Sequence, residues 1–155
     1  MQTVNIYTYS TIKSPGKRDG VGIYILQLDG CGDQGTRKQI ITLLGRTQQG
    51  AELELIRSAI HRIHTAVHLR IFTESASVAA AFKNGWIRKW ERDGWKNNKG
   101  GDVANAEAWQ DILRGLNGIG MRDDAIEWHV QARNEFRELM RWEATHKLAE
   151  WRKKS

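Results

Sequence analysis

The segment Phe82–Gly101 sets Trp86, Trp90 and Trp95 among Lys83, Arg88, Lys89, Arg92, Lys96 and Lys99, against only Glu91 and Asp93. Cations interleaved with aromatic rings suit a nucleic-acid strand. The charges neutralise phosphates, and the ring faces take up sugars and bases. Trp86 and Trp90 stand at i and i+4 and share one helix face. The same spacing also fits a solvated helix carrying two core tryptophans, so the segment alone leaves both readings open. His61, His64 and His68 recur at i, i+3 and i+7, a pattern that could bind metal. With basic neighbours and no adjacent cysteine or carboxylate, it is a weak one. Trp109, Trp128 and Trp142 read as core or edge packing. No Gly-rich phosphate loop, Ser-His-Asp pattern or paired CxxC occurs.

Composition narrows the partner class. The chain has 155 residues, 40% of them hydrophobic, which is enough for a real core within one domain over 1–155. Its formal charge of +6 favours an anionic partner, although net charge alone is weak support. The single cysteine, Cys31, excludes an internal disulfide and fits a reducing compartment. No apolar run is long enough to span a bilayer, and MQTVNIYTYS reads as a strand rather than a leader. A cytoplasmic monomer with no membrane partner is expected.

The elements that must position these residues follow from periodicity. Val4–Ser10, Val21–Leu28 and Lys38–Leu44 read as strands separated by turn residues, which predicts an antiparallel meander. Ala51–Val67 carries Leu53, Leu55, Ile56, Ala59, Ile60 and Ile63 at helical spacing. Leu69–Thr73 reads as a buried strand, and Ser75 as the cap of a helix beginning near Val78. Ala104–Leu116 reads as a helix ended by Gly118 and Gly120, Ala125–Val130 as a fifth strand, and Asn134–Lys153 as a last helix capped by Asn134. This order predicts an α/β fold: a five-stranded mixed sheet, part meander and part parallel, with helices on both faces. Ligands in such sheets gather at the carboxyl ends of strands. Here those ends are Thr8-Tyr9-Ser10 and Thr73-Glu74-Ser75.

In this order the chain resembles a type 1 ribonuclease H over nearly its whole length. The strand IYTYS is similar to the family's first strand, which ends Thr-Asp-Gly-Ser. RTQQGAELEL is similar to its Thr-x-Asn-x-x-x-Glu-Leu, and FTESASV to its Thr-Asp-Ser-x-x-Val. WIRKWERDGWKNNKGGDVANAEAW resembles the family's basic handle and the helix that follows, which assigns the handle to about residues 82–101.

The resemblance implies a ribonuclease H-like fold and binding of RNA–DNA hybrid. In the family, four carboxylates hold two divalent cations, normally Mg²⁺, for two-metal hydrolysis. Those positions here read Tyr9, Glu52, Glu74 and, by the closing pattern HKLA, His146. The register requires Tyr9, Glu52 and Glu74 to converge at one end of the sheet. Two carboxylates poorly balance two divalent cations, and imidazole suits Mn²⁺ or Zn²⁺ better than Mg²⁺. The implied metal set is therefore Glu52, Glu74 and His146, holding Mg²⁺ or Mn²⁺ weakly or not at all. Glu52 could equally be a helix N-terminal charge, and Glu74 a polar strand end. The family's mobile Gly-His loop is unmatched in QARNEFRELMRWEA.

The binding residues match better. Gln48 and Gln49 stand where the family contacts RNA 2′-hydroxyls. Thr47 and Asn105 stand where it holds a DNA phosphate, with Gly45 in place of an arginine and Arg46 beside it. Trp86 would pack on DNA sugars, and Lys89, Arg92, Lys96 and Lys99 would attract phosphates. The leading expectation is a nucleic-acid-binding protein with weak or absent hydrolysis, a pseudoenzyme. The alternatives are an active hybrid endoribonuclease with altered metal ligands, and a structural module of a replication or reverse-transcription complex.

Overall fold

A computed structural model of the chain describes residues 1–131 and 133–154. Its sheet has the order β3-β2-β1-β4-β5, where β1 is Thr3–Ser10, β2 Arg18–Leu28, β3 Thr36–Arg46, β4 His68–Thr73 and β5 Ile126–Val130. β1–β2 and β2–β3 pair antiparallel, while β1–β4 and β4–β5 pair parallel. The predicted mixed sheet is therefore the one found. Five helices accompany it among the described residues: α1 Gln48–Ile60, α2 Ala76–Lys83, α3 Trp86–Arg92, α4 Ala106–Gly118 and α5 Arg137–Lys154.

Strand alternation sorts the core into two faces. On one, Ile6, Tyr24, Leu69 and Ile71 pack against Leu53, Ile56 and Ile60 of α1 and Trp109 and Leu113 of α4. On the other, Tyr7, Tyr9, Val21, Ile23 and Ile25 pack against Met140 and Ala144 of α5. Helices thus cover both faces. Among the described residues no helix is long and apolar enough to cross a membrane.

Three helix boundaries differ from the sequence reading, each for a physical reason, and the handle adds a break of its own. α1 starts at Gln48 rather than Ala51, because Thr47 caps it by accepting from the Gly50 N–H at 3.0 Å. It ends at Ile60 rather than Val67. Thirteen residues span about 20 Å, the length of the six-residue strand β4 beside it, and the rest of the segment turns back into that strand. The handle helix is separate from α2, because Gly85 takes a left-handed conformation (φ 73°) between them. α5 starts at Arg137, not Asn134: the Asn134 side chain accepts from the Phe136 N–H at 2.9 Å, forming a turn that delays the helix. In that connection Ala132 lies outside the described residues, as does Ser155 at the end of the predicted domain.

Candidate functional site

β1 and β4 run parallel, so their carboxyl ends lie at the same end of the sheet. Thr8 and Thr73 face α1 there, while Tyr9 faces α5. Glu74, one residue past β4, pairs with Arg137 of α5.

Glu52, on α1, is buried between the strand ends and α1. Thr73 Oγ1 donates to its Oε1 at 2.6 Å, and the Thr8 hydroxyl donates to the same oxygen. Burial pushes the Glu52 carboxyl above its usual range, outweighing the two hydroxyl donors and the nearby Lys13 charge that oppose the shift. Glu52 reaches the expected end of the sheet, but as an enclosed group rather than an open ligand.

Tyr9 is 6% exposed and carries two cations against its ring. Lys13 Nζ lies 4.1 Å from the ring centroid and Arg137 Cζ 4.6 Å from it. Both cations also reach Glu74. Lys13 Nζ is 3.1 Å from Oε2, and Arg137 Nη1 is 2.6 Å from Oε1. The convergence of Tyr9 and Glu74 is thus present, with two basic side chains between them and solvent. Neither Lys13 nor Arg137 stands out in the sequence. Arg137 is the first residue of α5, just after the Asn134 turn.

His146 is not in this cluster. It lies nine residues beyond Arg137 on α5, about 13 Å down the axis, where it stacks on exposed Trp142 at 3.9 Å and contacts the Trp142 carbonyl through Nδ1. The closing pattern HKLA is too short to fix register against the Asn134 turn. Trp142 is therefore a surface residue, whereas Trp109 is core and Trp128 packs against the core from the edge. His61 pairs with Asp111 at 3.0 Å, while His68 opens β4. No group of three His, Cys, Asp or Glu side chains forms a metal-binding set among the described residues.

Four of the nine predicted binding residues share one groove, and the other five lie on the handle. Thr47, Gln48, Gln49 and Asn105 line one groove of about 570 Å³ with Pro15, Lys17, Ser77 and Ala104. Thr47 is the α1 cap, and Asn105 takes a left-handed conformation at the entry to α4 (φ 60°). A methyl group on Gly50 would meet Thr47 Oγ1 and Asn105 Oδ1, each at 3.2 Å, so the two polar side chains flank the same helix turn. The Gln48 N–H donates to the Ser14 carbonyl at 3.2 Å, fixing the 11–17 turn as one wall of the groove. Arg46 stands 3.9 Å from Glu54, so its charge is matched locally.

In the handle, Trp86 is 46% exposed, and Lys89 and Arg92 are exposed on the same helix. Trp90 and Trp95 pack against the core, with Trp90 at 6.5 Å from Trp109, so they brace the handle. Lys96 is ion-paired to Asp102, while Arg88 is bound by Asp123 at 2.9 and 3.1 Å. Lys99 is exposed at the tip.

A sheet of this order, with helices on both faces and a basic handle between β4 and β5, defines the ribonuclease H-like class. The chain belongs to the RNase H family, whose sequence model matches residues 1–135. Ribonuclease H of Syntrophomonas wolfei is 32% identical over 84 residues, 54% of this chain and 58% of that protein. Ribonuclease H of Symbiobacterium thermophilum is 27% identical over 82 residues, 53% of this chain and 52% of that protein. The chain thus spans little more than half the length of these curated relatives. Among solved structures, LC9-RNase H1, described as a type 1 RNase H with the type 2 active-site motif, matches with a TM-score of 0.70 at 18% identity. That match covers 96% of this chain and 73% of that one. The RNase H domain of prototype foamy virus matches with a TM-score of 0.67 at 19% identity, over 96% and 94%. The foamy viral protease-reverse transcriptase in complex with RNA/DNA hybrid matches with a TM-score of 0.62 at 20% identity, over 94% of this chain and 19% of that one. At these identities the likeness is one of fold.

Proposed function

We propose that this chain binds RNA–DNA hybrid through the α1–α4 groove and the handle, and that its hydrolytic centre is disabled. The observation that carries the reading is the contrast between the two halves of the site. Thr47, Gln48, Gln49 and Asn105 line a single groove with hydrogen-bonding groups suited to phosphate and 2′-hydroxyl. At the carboxylate centre, Tyr9 supplies a ring, Glu52 is enclosed, and Glu74 is paired with Lys13 and Arg137. Mg²⁺ and Mn²⁺ require hard oxygen ligands free to coordinate. A lone, partly buried carboxylate already held by two cations fits neither ion. Family membership and the hybrid bound by a structural neighbour support the choice of nucleic acid.

The test is a labelled RNA–DNA hybrid, followed by anisotropy and by gel cleavage in EDTA, Mg²⁺ and Mn²⁺. Salt-dependent binding with little cleavage is expected. Robust Mg²⁺-dependent cleavage, abolished by Glu52→Gln, would establish the active endoribonuclease instead. Absence of binding would leave the structural-module reading.

A further inference from the structure

The carboxylate centre of this chain carries an inverted charge. Lys13 and Arg137 are two cations converging on one half-exposed carboxylate, Glu74, and both sit against the neutral Tyr9 ring. Glu52 stands behind the Thr8 and Thr73 hydroxyls, on the α1 side of the sheet. Of the carboxylates near Arg137 in sequence, Glu138 beside it is exposed on the first turn of α5 and forms no ion pair among the described residues, and Glu135 is engaged by the Tyr7 hydroxyl at 2.9 Å. The accessible cluster therefore carries more positive than negative charge. Lys13 is 44% exposed and Arg137 21%; the Arg137 Nη1 atom is itself buried against Glu74, which it approaches as an ion pair without a hydrogen bond, so phosphate would meet the rest of the guanidinium.

Two chain segments connect this cluster with the groove. The turn bearing Lys13 continues to Pro15 and Lys17, which line the groove, and no more than about 14 Å of chain separates Lys13 from Lys17. The segment bearing Glu74 continues to Ser77, also in the groove lining, where its hydroxyl lies 3.2 Å from that of Ser75. The cluster and the groove are thus joined by two short chain segments.

We propose that Lys13 and Arg137 form a phosphate subsite that grips a phosphodiester of the bound strand directly, with no divalent cation. The inference rests on the hybrid-binding reading and adds the residues and the mode of contact. Lys13 supplies a point charge and Arg137 a planar fork of donors, the two chemistries that bind phosphate oxygens. Glu74 holds both side chains in place when the strand is absent and competes with phosphate for them.

The competition makes the test directional. Hybrid affinity of the wild-type chain is measured by anisotropy in EDTA across a salt series, and again in Mg²⁺ at matched ionic strength. The two conditions should agree. Lys13→Gln with Arg137→Gln should weaken binding and reduce the log–log salt slope by about one to two. Glu74→Gln should tighten binding several-fold, because it frees both cations. Circular dichroism establishes that each variant is folded. An independent arm uses inorganic phosphate, which should raise the melting temperature of the wild type more than that of the double variant. A folded double variant with unchanged hybrid affinity and slope, or a Glu74→Gln variant that binds more weakly, overturns the subsite and leaves Lys13 and Arg137 as braces. Equal protection of wild type and double variant by phosphate also overturns it. If the wild type binds no hybrid yet phosphate protection depends on Lys13 and Arg137, the hybrid reading fails and the subsite stands.

Discussion

Gly50→Ala separates the fold from the grip on nucleic acid. Gly50 is the third residue of α1, and its N–H donates to the Thr47 cap. In the fold, alanine gains about 0.8–1 kcal/mol of helix propensity over glycine, somewhat less in the first turn. Against this, the new methyl group stands 3.2 Å from Thr47 Oγ1 and Asn105 Oδ1, so both must shift by a few tenths of an ångström. Complete loss of such a cap costs about 1 kcal/mol, and a partial shift costs a fraction of that. The two effects nearly cancel, and the melting temperature should move by no more than about 4 °C either way. Binding has no such compensation. The displaced oxygen and amide groups are those assigned to a phosphate, and a hydrogen bond to a charged partner contributes about 1.5–3 kcal/mol. Losing one of these weakens hybrid affinity by about tenfold or more. Thermal melting and fluorescence anisotropy on the same preparation give both quantities. A folded Gly50→Ala variant with wild-type affinity would refute the assignment of Thr47 and Asn105. A variant that fails to fold would refute the steric argument.

Glu52→Gln should stabilise the chain at neutral pH and leave it nearly unchanged at pH 4. Burial raises the Glu52 carboxyl in the folded state, so the native chain holds a proton that the unfolded chain has released. Stability therefore falls as pH rises from the ordinary 4.5 to the raised value and then levels off, a loss that glutamine does not suffer. Melting temperatures of both proteins from pH 4 to 8 give the comparison, and parallel curves would contradict the reasoning. On the handle, Trp86→Ala with Lys89→Ala and Arg92→Ala should weaken hybrid binding and flatten its salt dependence, since phosphate contacts release counterions. An unchanged slope in the folded triple variant would exclude α3 as a binding surface.

What was legible in the sequence depended on how local the signal was. The strands carry alternating or continuous apolar residues, and all five emerged in order. Ser75 was readable as a cap because its oxygen serves Val78, only three residues on. The groove was readable because Thr47, Gln48 and Gln49 are consecutive and Asn105 opens the next long helix of that face. The start of α1 was misread because Gly50 weakens helix propensity there, while the Thr47 cap outweighs it. The charge inversion at Glu74 was not readable, since it joins residues 61 and 63 positions away through ion pairs. His146 was assigned by a short motif alone, and it lies nine residues beyond Arg137 on α5, stacked on Trp142.

Tyr9 and the two cations belong to one physical arrangement. An aspartate at this position would add a second charge beside Glu74, and two such carboxylates draw in a divalent ion because water alone screens their repulsion poorly at a half-buried site. With a phenol at Tyr9, Glu74 stands alone, and a single carboxylate is neutralised by cations tethered to the chain itself. Lys13 and Arg137 are held at high local concentration by the turn and by α5, and the ring adds a cation–π attraction of about 0.5–2 kcal/mol each. A Mg²⁺ ion entering here would have to shed water, displace both tethered cations and accept one carboxylate in return. On the proposed reading, the same surroundings that disfavour the metal leave a positive site beside the strand path, and the partner that suits it is the phosphate itself.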